Sequence, residues 1–285
     1  MNKQITNSIL ASLAADAYSL GAHWVYDEAQ LNALNIDWET LNDAQAMWHK
    51  GKVKGDFTHY GDQTHYLLEY VSKHGSFNKE DFHAYWSKKM SDYDGYIDGA
   101  TRNALENMGG ESSDLSICGR IAPLLICSKT KEEFLNSVNE FVEITHNSEL
   151  AKTSTRFFAQ LLWDSMQNPN IIENIQKLKE SYPSLKKWIE EALASKDVDS
   201  VKSIRSFGPA CGIDGGFAGV IHLLAQDDSF KNIMQKNAKA GGDSSARGMV
   251  VAMILATKDD MKIPTEWVEN INLIKEIREN LNENI

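Results

Sequence analysis

Basic residues are scarce in this sequence of 285 residues. Twenty-nine Lys and Arg face 40 Asp and Glu, which gives a formal net charge of −11 at pH 7. This balance argues against nucleic acid or an anionic membrane as a partner, and it allows a small anionic ligand only where the site is locally positive. No apolar run approaches the roughly 20 residues that a membrane-spanning helix needs. We therefore expect no nucleic-acid and no membrane partner.

Cysteine and targeting signals are also sparse. The three cysteines (Cys118, Cys127 and Cys211) lack metal-type spacing, and their odd number does not favour a disulfide framework. Buried free thiols in a reducing compartment are the expected state. The first residues lack the charged-then-apolar pattern of a signal peptide. We therefore expect a cytoplasmic protein.

Strand-like alternation of polar and apolar residues is nearly absent, and helical spacing takes its place. Ile5, Ile9 and Leu13 lie on one stripe of a predicted first helix from about Lys3 to Leu20. No internal repeat, low-complexity segment or Pro/Ser-rich linker divides the chain. The sequence therefore predicts an all-α fold with one domain over residues 1–285.

Two glycine–aspartate steps precede predicted helices. Asp243 follows Gly241-Gly242 and stands where the N-cap of an apolar helix belongs, and Asp62 follows Gly61 ahead of a helix predicted from Gln63 to Lys73. A carboxylate at a helix start satisfies free N–H groups and also holds a cation. Plain N-capping is the structural alternative to a functional site. We expect the scaffold to bring these two helix starts together.

Other polar residues allow both a structural and a functional interpretation. His146 is either the C-cap of a helix whose start carries the capping box Thr130/Glu133, or a ligand contact. His23 is either a packed core histidine or a proton carrier. Asp16, late in the first helix, requires a partner there. Arg120 is either a salt-bridge residue under an apolar turn or a binding residue.

Residues 36 to 60 show no clear period and contain two histidines, His49 and His59. A long irregular stretch in a compact domain is often a functional loop. We therefore interpret this stretch as a candidate functional loop.

Six motifs, in order, resemble the ADP-ribosylglycohydrolase family. They are Asp16-Ala17-Tyr18-Ser19-Leu20-Gly21-Ala22-His23-Trp24, Gly61-Asp62-Gln63-Thr64, Arg120-Ile121-Ala122-Pro123-Leu124, Thr145-His146, Gly241-Gly242-Asp243-Ser244-Ser245-Ala246, and Ile263-Pro264-Thr265-Glu266-Trp267. The resemblance covers nearly the whole chain. It implies an orthogonal all-α bundle and hydrolysis of the bond at C1″ of ADP-ribose, with two Mg²⁺ ions on the floor of a cleft. It also implies substrate contacts at Arg120, His146 and Gly242.

The sequence departs from the family at the metal ligands themselves. Gly61 replaces a threonine, and Gln63 and Ser245 each replace an aspartate. Asp62, Asp243, Gln63 and Ser245 are the residues left for a metal, and we expect them to hold at most one Mg²⁺, weakly, because Mg²⁺ needs charged ligands. His23 stands where the family has a glutamate. These changes resemble a divergent branch that includes the J-type crystallins of jellyfish lenses.

Two hypotheses follow from this pattern. The first is a hydrolase acting on an ADP-ribosyl or related ribosyl bond of a small molecule or an ADP-ribosylated protein, with Asp62, Asp243 and His23 as its catalytic residues. The second is a non-catalytic, crystallin-like protein that binds a nucleotide-like ligand or none. The lost acids favour the second hypothesis, and the retained Asp62 and Asp243 favour the first. The oligomeric state stays open.

Overall fold

The computed structural model describes residues 2–282, and within this range it contains helices but no β-strand. The α-helices are α1 Lys3–Ser19, α2 Glu28–Ala33, α3 His59–His74, α4 Lys79–Ser91, α5 Gly99–Glu106, α6 Ser116–Gly119, α7 Lys131–Thr145, α8 Glu149–Gln167, α9 Ile171–Lys179, α10 Lys186–Ala194, α11 Ser200–Phe207, α12 Ile213–Leu224, α13 Phe230–Lys239, α14 Ser244–Leu255, α15 Thr265–Glu269 and α16 Ile274–Asn280. Two 3₁₀ helices span Met47–His49 and Ala122–Cys127. The all-α prediction is confirmed.

Helices α1 and α14 form the centre of the bundle. Every residue of α14 is buried, as expected for a helix that is apolar all round. A Cβ on Gly248 of α14 would lie 3.8 Å from Cβ of Ala15 and 3.2 Å from Oγ of Ser19. The small residues of both helices therefore allow a close crossing. The buried apolar side chains around this pair form one connected core.

Local side-chain caps set several helix starts, including two that the sequence predicts, at Thr130 and Asp243. Asp27 and Asn78 cap α2 and α4, and Thr130 forms the predicted capping box with Glu133 at the start of α7. Helix α1 ends within a residue of its predicted end. Asp243 caps α14 by accepting a hydrogen bond from the N–H of Ala246 at 3.1 Å.

The predicted start of the helix after Asp62 is wrong. Helix α3 begins at His59, four residues before Gln63, because the hydroxyl of Thr58 accepts the N–H of Tyr60 and caps the helix first. Asp62 therefore lies in the first turn of α3 and is not its N-cap. Ser229 caps α13, and the segment after Pro264 forms two short helices, α15 and α16.

The irregular stretch before α3 is fixed to the bundle through aromatic side chains. The Tyr18 hydroxyl donates to the carbonyl of Trp38 at 2.8 Å, and the Trp267 indole donates to the carbonyl of Glu39 at 3.0 Å. The rings of Tyr18 and Trp267 stack with centroids 3.8 Å apart. These contacts fix the first half of the stretch to the bundle. The second half lies over the start of α3 through the Lys52–Asp62 ion pair and the contact between His49 and His59.

The three thiols are free, as predicted, but only Cys118 is fully buried. Cys127 and Cys211 are half-buried. Among the described helices, none has the length and apolar character needed to cross a bilayer.

Candidate functional site

The starts of α3 and α14 meet at the carboxylate of Asp16, which α1 holds between them. One oxygen of Asp16 accepts the Thr58 hydroxyl at 2.6 Å and the Ser245 hydroxyl, and the other accepts the N–H of Thr58 at 2.7 Å. The two hydroxyl oxygens lie 3.4 Å apart. The expectation that the fold joins the two helix starts, and that Asp16 requires a partner, is confirmed.

Asp16 is fully buried, and its ionisation is correspondingly unfavourable. Burial raises the pKa of Asp16 from 3.8 to about 6, although the hydrogen bonds from Ser245 and Thr58 lower it, and the charge of Asp62 adds a smaller increase. Asp16 and Asp62, the carboxylate on the outer side of this junction, therefore repel each other electrostatically.

Asp62 is the partly exposed carboxylate of the group, with 14% of its side chain accessible. It forms an ion pair with Lys52 from the preceding loop, and one of its oxygens accepts the Tyr93 hydroxyl at 2.7 Å. Two side chains from different segments therefore fix its position. A carboxylate held in this way at a surface is available to a ligand or a water molecule.

Asp243 lies deeper and is fully buried. Besides capping α14, it accepts the Tyr60 hydroxyl at 3.2 Å and lies 3.5 Å from Nδ1 of His23. Burial raises its pKa, while the hydrogen bond from Ala246 and the charge of Arg247 oppose that change. Asp62 and Asp243 therefore both lie at the junction, with Asp62 partly exposed and Asp243 fully buried.

The amide oxygen of Gln63, a predicted metal ligand, is already bonded. It accepts the Trp86 indole N–H at 3.1 Å and an Arg120 N–H at 2.9 Å, and the amide nitrogen donates to Thr101 at 3.1 Å. Arg120 is buried, and its predicted salt bridge is replaced by this bond to a neutral amide. These hydrogen bonds of Gln63 stabilise the packing of α3 against α4 and α5.

These contacts do not fit a Mg²⁺ site made from Asp62, Asp243, Gln63 and Ser245. The Lys52 ammonium occupies the place of a cation at Asp62, and the oxygens of Gln63 and Ser245 are engaged with Arg120 and Asp16. Mg²⁺ requires several oxygen ligands in near-octahedral geometry. We therefore derive no chemical step through a Mg²⁺ ion.

Three buried histidines lie beside the junction, and the sequence singled out only one of them, His23. One ring nitrogen from each of His23, His49 and His59 lies within 4.8 Å of those of the other two. Nε2 of His49 is 3.0 Å from Nδ1 of His59, and Nε2 of His59 is 3.3 Å from the carboxylate of Asp98. The sequence feature that could have identified His49 and His59 is their presence together in one irregular stretch.

The predicted substrate residue His146 lies at the C-terminal end of α7. Its Nδ1 is 2.7 Å from the hydroxyl of Thr145, and its Nε2 is buried without a hydrogen-bond partner. Burial, together with the nearby charge of Arg120, lowers the pKa of His146 to about 3. His146 is the C-cap residue of α7, as one of its two interpretations holds, and its imidazole is neutral there.

Gly242, the third predicted substrate residue, has a structural role in the described contacts. Its φ is +63°, and a Cβ at this position would lie 2.1 Å from the carbonyl oxygen of Pro209. Its carbonyl accepts the N–H of Trp24 at 2.7 Å, and its N–H donates to the carbonyl of Val25 at 2.9 Å. Gly242 thus fixes the segment after α1 against the start of α14.

A surface cavity of about 230 Å³ opens beside this junction. Its lining includes Trp48, His49, Lys50, Lys52 and Tyr96. Trp48 is half exposed, although it is a large aromatic residue. Aromatic rings and lysine side chains therefore line a cavity next to Asp62. One of these lysines, Lys52, is the ion-pair partner of Asp62.

The model of the family described as ADP-ribosylglycohydrolase matches residues 2–285 of the chain. The chain belongs to the ADP-ribosylglycohydrolase family. The family assignment confirms the resemblance that the six motifs carry.

Relatives and solved structures agree with this family assignment. Crystallin J1A and crystallin J1B of Tripedalia cystophora are each 22% identical to the chain, over 95% of its length and 92% and 93% of theirs. A solved structure titled as an ADP-ribosylglycohydrolase-related protein complex has a TM-score of 0.68 at 18% identity, and the match covers 98% of this chain and 95% of the other. At this identity, the structural likeness shows that this family member shares the fold.

Proposed function

We propose that the chain is a hydrolase that cleaves a ribosyl-type glycosidic bond, with an ADP-ribosyl group or a related ribosyl group as its substrate. Family membership supports the reaction class. The expected substrate is a small molecule or an ADP-ribosylated side chain.

The observation that carries this proposal is a concentration of unsatisfied polar atoms around the junction. Among the described residues, five buried nitrogens there lack a hydrogen-bond partner: His23 Nε2, Trp24 Nε1, His49 Nδ1, Arg120 Nε and His146 Nε2. Each such group costs about 1–3 kcal/mol. A scaffold without a ligand or a reaction has no reason to keep this cost in one place, whereas binding and catalytic sites commonly do.

Asp62 is the residue we assign to the chemical step. Its partial exposure and its two fixed partners, Lys52 and Tyr93, suit a general base. A water molecule gives a proton to Asp62 as its oxygen bonds to C1″ of the ribose. The bond from C1″ to the leaving nitrogen or oxygen breaks with its electron pair, and the leaving group then takes the proton from Asp62.

Asp243 and His23 are assigned positioning roles, because both are fully buried. Asp243 holds the hydroxyl of Tyr60, which lies two residues before Asp62 on α3, and His23 lies against Asp243. Fixing the first turn of α3 in this way fixes the direction of the Asp62 side chain. Accurate placement of a catalytic group contributes strongly to rate.

The cavity beside Asp62 supports an aromatic ligand. Trp48 and Tyr96 offer ring faces for stacking a base, and Lys50 lines the same cavity together with Asp94. A volume of about 230 Å³ is below the roughly 300–1,000 Å³ of ordinary ligand sites, so it suits one part of such a substrate. Arg120 and His146 are buried and do not line this cavity, and their contact with substrate stays a prediction.

The test is release of ADP-ribose from ADP-ribosylated arginine, serine and small-molecule substrates, measured by chromatography with and without a chelator. We expect turnover in both conditions and a loss of at least about 100-fold in Asp62→Asn, since general-base catalysis contributes about that factor or more. Asp227→Asn, an exposed aspartate that lines a different surface cavity with Pro169 and Lys196, is the control. A wild-type protein that hydrolyses none of these substrates, or an Asp62→Asn variant with full activity, would overturn the proposal.

A non-catalytic role is the second candidate, and two observations favour it. The ion pair with Lys52 already neutralises the charge of Asp62, and the curated relatives are crystallins. This role predicts stabilisation by ADP-ribose without turnover. A ligand at a hundred times its Kd adds about 2.7 kcal/mol, which is a rise of a few degrees in Tm at this size.

A further inference from the structure

We propose that His23, His49 and His59 form a binding site for a transition-metal ion of the Zn²⁺ class. This inference does not depend on the proposed hydrolysis. It concerns a different donor set from the carboxylates of the two helix starts.

The geometry suits an ion held by three imidazoles. The three histidines are at most 3% exposed, and their candidate nitrogens lie within 4.8 Å of one another. The 3.0 Å between Nε2 of His49 and Nδ1 of His59 is close to the roughly 3.3 Å that separates two nitrogens bound tetrahedrally at about 2.0–2.1 Å from Zn²⁺. Only a small movement is needed to admit an ion between these two rings.

Carboxylates stand behind two of the three rings. Asp98 lies 3.3 Å from Nε2 of His59, which leaves Nδ1 of that ring to face the ion. Asp243 lies 3.5 Å from Nδ1 of His23, which also accepts the N–H of Ser245 at 3.4 Å, and Nε2 of His23 is buried without a partner. Metal-binding histidines usually give their second N–H to a carboxylate, which fixes ring orientation and makes the ligand more basic. The arrangement on His59 follows this pattern, and His23 adopts it when the bond from Nδ1–H to Asp243 replaces the contact with Ser245.

The type of donor also selects the metal. Imidazole ligands select Zn²⁺, Cu²⁺ and Ni²⁺ over Mg²⁺, which prefers oxygen.

A route to the cluster exists at the 3₁₀ helix Met47–His49. His49 itself lines the surface cavity of about 230 Å³, so an ion in that cavity reaches the first ligand directly. Three protein ligands leave a fourth tetrahedral position for water, as in open zinc sites. His65, Glu69 and Glu276 form a second group at similar spacing, but Glu69 is already bonded to Lys89 and Tyr85. The three-histidine cluster is thus the better donor set.

The experiment measures metal binding by the full-length protein after treatment with a chelator. Zn²⁺ titration by calorimetry should give one site per chain, and excess Mg²⁺ should not compete. Co²⁺ should give the intense visible absorption of a tetrahedral ion with nitrogen ligands. A wild-type protein with no stoichiometric Zn²⁺ binding, or with only the weak spectrum of octahedral Co²⁺, would overturn the proposal without any variant.

Variants then locate the site. His49→Ala and His59→Ala should each abolish stoichiometric binding, and Asp98→Asn should weaken it by about 10–100-fold, the usual effect of removing a carboxylate behind a ligand. His65→Ala, a buried histidine of the other group, is the matched control and should bind as the wild type does. Unchanged binding in folded His49→Ala, with folding verified by circular dichroism, would refute the assignment, as would loss of binding in His65→Ala.

Discussion

Replacing Asp16 by asparagine should make the protein more stable at neutral pH, although it removes a carboxylate with three hydrogen bonds. A pKa of about 6 instead of 3.8 means that the folded state favours the protonated acid. At about 1.36 kcal/mol for each pKa unit, ionised Asp16 costs the fold about 3 kcal/mol. This cost is absent below pH 4, develops as the pH rises from about 4 to 6, and is complete at pH 7.

Asparagine fits the hydrogen bonds around this position. Its carbonyl oxygen replaces the oxygen that accepts the N–H of Thr58, and its amide nitrogen faces the two hydroxyls. The hydroxyls of Thr58 and Ser245 then act as acceptors, because a hydroxyl both donates and accepts. The hydroxyls of Thr58 and Ser245 lie 3.4 Å apart, so one donates to the other, but the remaining O–H loses its acceptor, which costs about 1 kcal/mol. The loss of charge is the larger change.

Urea unfolding followed by circular dichroism at pH 4, 5, 6 and 7 measures the effect. Asp16→Asn should be about 1 kcal/mol less stable than the wild type near pH 4 and up to about 2 kcal/mol more stable at pH 7, because other titrating groups are common to both proteins. Asp16→Ala is the control: it leaves the donors of Thr58 and Ser245 unpaired, and it should lower stability by about 1–3 kcal/mol per unpaired group at every pH. An asparagine variant that is less stable at pH 7, or a difference that does not change with pH, would refute the reasoning.

Two further predictions concern buried groups near the junction. His146 is neutral in the fold, with its pKa lowered to about 3, while the unfolded chain is protonated below about pH 6.5. The contribution of His146 to the free energy of unfolding is therefore present above pH 6.5 and decreases as the pH falls. At pH 5 the wild type should have lost about 2 kcal/mol of stability that His146→Gln keeps. Equal losses for the two proteins in urea unfolding would contradict this. Gly61→Ala would place a Cβ 2.2 Å from the Asp16 carboxylate and should cost about 1–3 kcal/mol in thermal unfolding. Gly99→Ala, where a Cβ meets no atom within 4 Å, should be near neutral, and similar Tm values for the two variants would disprove the packing argument.

Features with local causes were predictable from the sequence. Caps at Asp27, Asn78 and Thr130 depend on a side chain and an N–H two or three residues later, so the sequence contains both partners. The error at Asp62 has a local cause as well. Thr58 caps α3 one turn earlier, and a glycine before an aspartate cannot overrule that hydrogen bond.

Features with long-range causes were not predictable from residue patterns. Asp16 meets Ser245 across 229 positions, and His23 reaches its partners only once the irregular stretch folds over α3. The motifs placed Asp62 and Asp243 near one site, but they contained no sign that Lys52 would be the partner of Asp62. Such pairings depend on how the loop packs and have no local sequence signature.

The pairing of Lys52 with Asp62 changes how the protein depends on its surroundings. A diffusible cation occupies a carboxylate according to its concentration, and a chelator removes it. The ammonium of Lys52 is attached ten residues away on the same chain, so its effective concentration is fixed by the loop and not by the medium. The counter-ion of Asp62 is therefore encoded in the sequence. A single substitution of Lys52 is enough to leave the charge of Asp62 to free ions from the medium.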